Sequence, residues 1–130
     1  MAELTRKDLV LALISAGERP RLRRVDLSGL DMSGLSLDGA DLTGANLQGS
    51  NLRGAHLVGA ILQEADLRSC VLEGANLTGA NLERAQLNGA LLAESICRNA
   101  NFSESDLSDA NWNDADLEGA QLEKAIGFKG

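Results

Sequence analysis

The sequence predicts an all-β solenoid on three observations. A five-residue period runs without insertion over most of the chain, a small and a large apolar residue sit two apart in every period, and glycine closes many periods. From Asp26 the 130-residue chain reads Asp26-Leu27-Ser28-Gly29-Leu30, then Asp31-Met32-Ser33-Gly34-Leu35, and holds that register through Gln121-Leu122-Glu123-Lys124-Ala125, 20 quintets in all. The central (second) residue is Leu sixteen times, the exceptions being Met32, Cys97, Phe102 and Trp112. Two residues before it stands Ala thirteen times, otherwise Val25, Leu30, Leu35, Cys70, Ser50, Ser95 or Ser105. Two residues after it, Gly occurs eleven times.

Each observation restricts the backbone. In an α-helix a five-residue step leaves about 140° of net rotation, so the leucines would visit every face. The recurring glycines would cost such a helix roughly 0.8–1.0 kcal/mol each. In an extended segment, residues two apart point to one side, which turns the small residue and the Leu inward together. Five is odd, so a straight strand would turn the next pair outward; a bend is needed once per quintet. Glycine after the centre supplies it, because a type II turn needs positive φ at its third position. Short strand and corner alternate, and the chain coils about an axis.

The quintets resemble the pentapeptide-repeat family, whose signature A-(D/N)-L-x-x stands cleanly at Ala40-Asp41-Leu42-Thr43-Gly44 and Ala75-Asn76-Leu77-Thr78-Gly79. The resemblance covers about 100 of 130 residues. It implies a right-handed quadrilateral β-helix with four repeats per coil, hence about five coils and, at about 4.8 Å per coil, a stub about 24 Å long. One inner column is then Leu27, Leu47, Leu67, Leu87 and Leu107, and another Met32, Leu52, Leu72, Leu92 and Trp112. The family also implies that Asp and Asn before each centre brace the coil, which is the expected role here in place of calcium binding.

Residues 1–24 are expected to form an N-terminal helical cap and lead-in, 25–125 the β-helix, and 126–130 a short tail. Within the cap, residues 4–16 read as a helix. Thr5 with Asp8 resembles a capping box, Leu9, Val10, Leu13 and Ile14 share a face, and Gly17 is the stop. The apolar run Leu9 to Ile14 is far too short to cross a bilayer. Ile126-Gly127-Phe128-Lys129-Gly130 is a thin cap, so the C-terminal end is where a second copy of the chain, as a homodimer, or another partner is expected.

Composition narrows the function. The formal net charge is −7, which opposes direct nucleic-acid or anionic-membrane binding. It is uneven: +3 over residues 1–24, −5 over 25–100 and −5 over 101–130. Apart from the cluster Arg19, Arg21, Arg23 and Arg24, the cations are scattered. The lone His56 falls in an outward slot, Cys70 and Cys97 in inward ones, and no nucleophile–base pair or metal cluster assembles. The expectation is a bacterial, cytoplasmic, non-enzymatic interaction or scaffold module without cofactor or metal, acting on a protein partner. Its candidate surface is Ile61, Val71, Leu91 and Ile96, which take the outward slot usually given to Asp or Asn. The alternative rests on the acidic C-terminal coil: Glu104, Asp106, Asp109, Asp114, Asp116 and Glu118, with Glu123 nearby. Some family members resemble B-DNA in size and charge and protect gyrase from quinolones. Those proteins are longer and dimerise through C-terminal elements, where this chain has five coils and an N-terminal helix.

Overall fold

The computed structural model describes residues 4–16 and 19–129, with backbone only at 11 and 14–16. Parallel bridges join each outward slot to the residue twenty positions on. Twenty residues are four quintets, so the coil has four sides. Face 1 stacks Arg21, Asp41, Ile61, Asn81, Asn101 and Gln121; face 2 stacks Asp26, Asn46, Asp66, Gln86, Asp106 and Ile126. Face 3 stacks Asp31, Asn51, Val71, Leu91 and Asn111; face 4 stacks Ser36, His56, Asn76, Ile96 and Asp116. Each face contributes one bridged residue per coil, and among the described residues no longer strand forms, because the next corner arrives at once.

The ladder runs from Arg21 to Ile126, where the sequence places the array at 25–125. At its start, Leu22 N–H donates to Asp41 O (2.8 Å) and Arg24 takes the corner conformation at φ 58°. At its end, Leu107 N–H donates to Ile126 O (2.7 Å) and Ile126 N–H to Ser105 O (2.9 Å), so the first tail residue is part of the last coil.

Three hydrogen bonds per quintet link a coil to its neighbours. Leu42 N–H donates to Ile61 O at 2.7 Å, Gly44 N–H to Gln63 O at 2.9 Å, and Ile61 N–H back to Ala40 O at 2.9 Å. A fourth closes the corner itself, from Ala45 N–H to Leu42 O at 3.0 Å. The corner residue has positive φ whether or not it is glycine: Gly44 has 66°, while Glu64, Glu94 and Lys124 have 60°, 61° and 59°.

Inside, the central residues from Leu27 to Leu92 and the alanines beside them are buried. Ser50, Ser95 and Ser105 occupy the small slot and are buried too, and each satisfies its hydroxyl within its own turn. Their Oγ atoms donate to Leu47 O, Leu92 O and Phe102 O at 2.7, 2.7 and 2.6 Å.

The helix α1 spans Arg6–Ala16. Thr5 and Asp8 form a reciprocal capping box: Thr5 N–H donates to Asp8 Oδ2 and Asp8 N–H to Thr5 Oγ1, both at 3.1 Å. Leu9 is buried in the main core and Leu13 packs against it. The expected stop at Gly17 and the packing of Ile14 lie outside what is described. Arg6 donates to Asp31 O (3.0 Å) and Ser33 O (2.9 Å). One coil further on, the equivalent carbonyls of Asn51 and Arg53 accept from Met32 and Gly34 N–H. A guanidinium thus fills acceptors that a preceding coil would fill. Among the described residues no helix is long and apolar enough to cross a membrane.

All three aromatic residues meet at the other end. Trp112 packs edge-on between Phe102 (centroids 5.3 Å apart) and Phe128 (5.6 Å). The tail is therefore more than the sequence implies, since Phe128 lies over the Trp112 ring, and Trp112 is only 8% exposed.

Candidate interaction surface

Most outward slots hold a polar residue with a local task. Asp41 Oδ1 accepts from Thr43 N–H (3.1 Å) and its hydroxyl (2.6 Å), and Asn76 does the same with Thr78. Asn46, Asn51, Asn81 and Asn111 accept the N–H two residues on at 3.0–3.1 Å. These bonds support the bracing role expected for the slot. Hydrogen bonding, led by the Thr43 hydroxyl, holds the Asp41 carboxyl below its ordinary value; the Ser108 hydroxyl does so for Asp106. Among the described residues no carboxylate, His or Cys group is arranged to hold a metal ion.

Ile61, Val71, Leu91 and Ile96 have no side-chain acceptor and forgo that brace. The structure makes two of them neighbours and puts a third on the adjacent face. Val71 and Leu91 are bridged neighbours on face 3, and Ile96 follows one corner later on face 4, past Ala93 and Glu94. Leu91 is 38% and Ile96 39% exposed, while Val71 is half-buried. Ile61 is not part of this group, because it stands on face 1, across the coil from face 3. It lines a groove with Arg19, Arg21, Arg23, Asp41 and Val58. Val58 was not among the candidates. Its signal was present, because it is the one large aliphatic residue in the slot directly after a centre, where polar residues prevail.

The acidic residues circle the last coils instead of forming a stripe. Asp106 lies on face 2 and Asp116 on face 4; Glu104, Asp109 and Asp114 take corners between, and Glu118 stands beside the Gly119 corner. Several are paired: Arg84 with Glu104 (3.6 Å) and Glu64 (3.9 Å), and Arg98 with Asp116 and with Glu118 (3.8 Å). Exposed pairs of this kind stabilise little, but they lower the local negative charge. His56 is exposed on face 4. Burial pushes the thiols of Cys70 and Cys97 up to about 12 and about 11, so neither ionises near neutrality.

The four-sided ladder and the quintet pattern agree with a family profile described as pentapeptide repeats (8 copies), which matches residues 21–59, 55–93 and 95–126. The chain belongs to the pentapeptide-repeat family. No curated protein matches it. Among solved structures it is similar to Rfr23, a pentapeptide repeat protein from the cyanobacterium Cyanothece 51142, at 25% identity and a TM-score of 0.83, covering 92% of this chain and 99% of that one. It is 33% identical to alr5209, a pentapeptide repeat protein from Nostoc Pcc 7120, over 90% of this chain and 94% of that one, with a TM-score of 0.44. A pentapeptide repeat protein from the Arabidopsis thaliana thylakoid lumen is 32% identical over 74% of this chain and 70% of that one, with a TM-score of 0.45. Members of this family imply a right-handed quadrilateral β-helix, in keeping with the four faces found here.

Proposed function

We propose that this pentapeptide-repeat chain is a non-enzymatic, cytoplasmic interaction module whose Val71, Leu91 and Ile96 surface docks on a protein partner. One observation carries the reading: of the residues that gave up the brace of the outward slot, Val71 and Leu91 are bridged neighbours and Ile96 follows on the adjacent face. The other apolar outward residues, Ile61 and Ile126, stand singly on faces 1 and 2.

In this reading α1 acts as the N-terminal cap, supported by the buried Leu9 and by Arg6 on the first-coil carbonyls. The C-terminal end is the place for a second copy. Leu117 and Leu122 are only half-buried there, whereas Leu77 and Leu82 in the same columns are fully buried, and Ile126 is 59% exposed. DNA mimicry against gyrase is the weaker reading, because the acids form a collar partly neutralised by Arg84 and Arg98.

Leu91→Asn and Ile96→Asn test the surface. Asn is the native occupant of the same slot at Asn51, Asn76 and Asn111, so both variants should fold, and each should gain a brace worth about 0.5–1 kcal/mol. We expect proteins captured from native lysate by the wild type to be lost from both variants, and gyrase supercoiling to be unaffected. Unchanged capture by both variants would sink the assignment.

A further inference from the structure

We propose that the arginine-lined groove at the start of face 1 binds an extended acidic peptide segment bearing an aliphatic side chain a few residues from its carboxylates. The groove is layered by the twenty-residue register. Arg19, Arg21 and Arg23 form the first layer, Gly39 and Asp41 the second, and Val58, Gly59 and Ile61 the third. The arginines alternate with buried Pro20 and half-buried Leu22, so all three side chains face outward. Glycines at positions 39 and 59 keep the corner beside them low.

The chemistry of the layers differs. Arg23 leans on Asp41 at 3.8 Å, while Arg19 and Arg21 have no ion pair among the described residues. A guanidinium presents a planar fork that fits a carboxylate with two hydrogen bonds. Two layers further on, Val58 (39% exposed) and Ile61 (36%) make an aliphatic sill. The step between arginines and sill is about 10 Å at the usual interstrand spacing, about three residues of an extended peptide.

Charge favours a short segment over a large anionic surface. Residues 1–24 carry +3 in a chain of −7. A bilayer or duplex laid along face 1 would also meet Glu64 and Glu83 beyond the groove, whereas a peptide of six or so residues meets only the groove. The site lies across the coil from Val71 and Leu91, so it stands or falls independently of that surface.

The probe is a fluorescein-labelled hexapeptide in which two glutamates precede a leucine by three residues, followed by fluorescence anisotropy with the full chain. We expect saturable binding that weakens about tenfold or more in the Arg19→Glu/Arg21→Glu variant. Ile61→Asn, a residue native to this face at Asn81 and Asn101, should weaken it about threefold or more. Raising salt from about 50 mM to about 500 mM should weaken it as well. Leu91→Asn should bind the peptide like the wild type. The proposal is overturned by the absence of saturable binding up to about 1 mM. Equal binding by the double arginine variant, or by a peptide with lysines in place of glutamates, also overturns it. So does retention of the protein on phosphatidylserine vesicles in place of the peptide, which assigns the groove to a membrane.

Discussion

The two ends of this β-helix share one backbone and are built from different residues. In the first seven quintets of the array from Asp26 to Ala60, every corner is glycine; in the last seven only Gly119 is. The other late corners, Glu94, Asn99, Glu104, Asp109, Asp114 and Lys124, hold φ of 58–61°, a region that disfavours non-glycine residues. For Glu94, Asn99 and Glu104 the ladder imposes it, through an N–H bond to the next coil. Glu94 N–H donates to Asn113 O at 2.8 Å, the counterpart of the bond from Gly54 to Glu73 O at 2.9 Å. Losing that bond costs more than the strained φ. The cores differ in the same direction. The early coils are filled by Leu, Met and Ala, whereas the late ones hold Phe102 and, in the last coil, Trp112 with Phe128 against it. A solenoid corner tolerates poor local propensity once a neighbouring coil holds the chain beside it, and the last coil is covered by aromatic bulk.

The contrast can be broken most strongly in the core. Leu72→Ala, in a fully buried column with a coil on either side, should cost about 3–4 kcal/mol. Leu122→Ala, half-buried in the last coil, should cost about 1 kcal/mol, because solvent already reaches the site. Denaturant unfolding of both variants measures the difference; equal losses would show that the end is as tightly packed as the middle.

Corner exchanges sharpen it with smaller effects. Gly54→Ala meets no atom within 4 Å, so its expected cost of about 1 kcal/mol comes from φ of +65° alone. Glu94→Gly should stabilise by about 0.5 kcal/mol, the relieved strain being offset in part by glycine's entropy. If Glu94→Gly destabilises, the late corners are held by side-chain contacts and not by the ladder alone.

The smallest effect is one of pH. Asp41, Asp66 and Asp106 sit below the ordinary 3.8, chiefly through hydrogen bonds from Thr43, Arg68 and Ser108 respectively. A carboxylate lowered in the folded state contributes stability in full above its unfolded value. That contribution is lost as pH falls through the lowered folded value. Replacing all three with Asn, which makes the same Oδ1 bond at Asn46, should flatten the decline of the unfolding midpoint between about pH 5 and about pH 2. An unchanged decline would place the acid sensitivity elsewhere.

The repeating register and the small–large inward pairs were legible in the chain, because a strict five-residue period maps sequence spacing directly onto space, and the Thr5–Asp8 box was legible from its own spacing. The four-sided coil, and with it the inward columns and the contiguity of Val71 with Leu91, came from the resemblance, since quintets alone leave the number of corners open. Three things were decided only in three dimensions. Arg21-Leu22-Arg23-Arg24-Val25, expected only as a lead-in, was paired as a full first quintet although it lacks both the small residue and the glycine, because the coil below offers hydrogen bonds to whatever chain precedes it. Ile61 was separated from the other apolar residues and joined to Val58 and three arginines, a grouping set by residues twenty to forty apart. Phe128 became a lid on Trp112 because the last coil leaves an aromatic ring uncovered. Sequence period determines what repeats; the ends and sides of a stack depend on neighbours that are present or missing, and only the assembled coil supplies them.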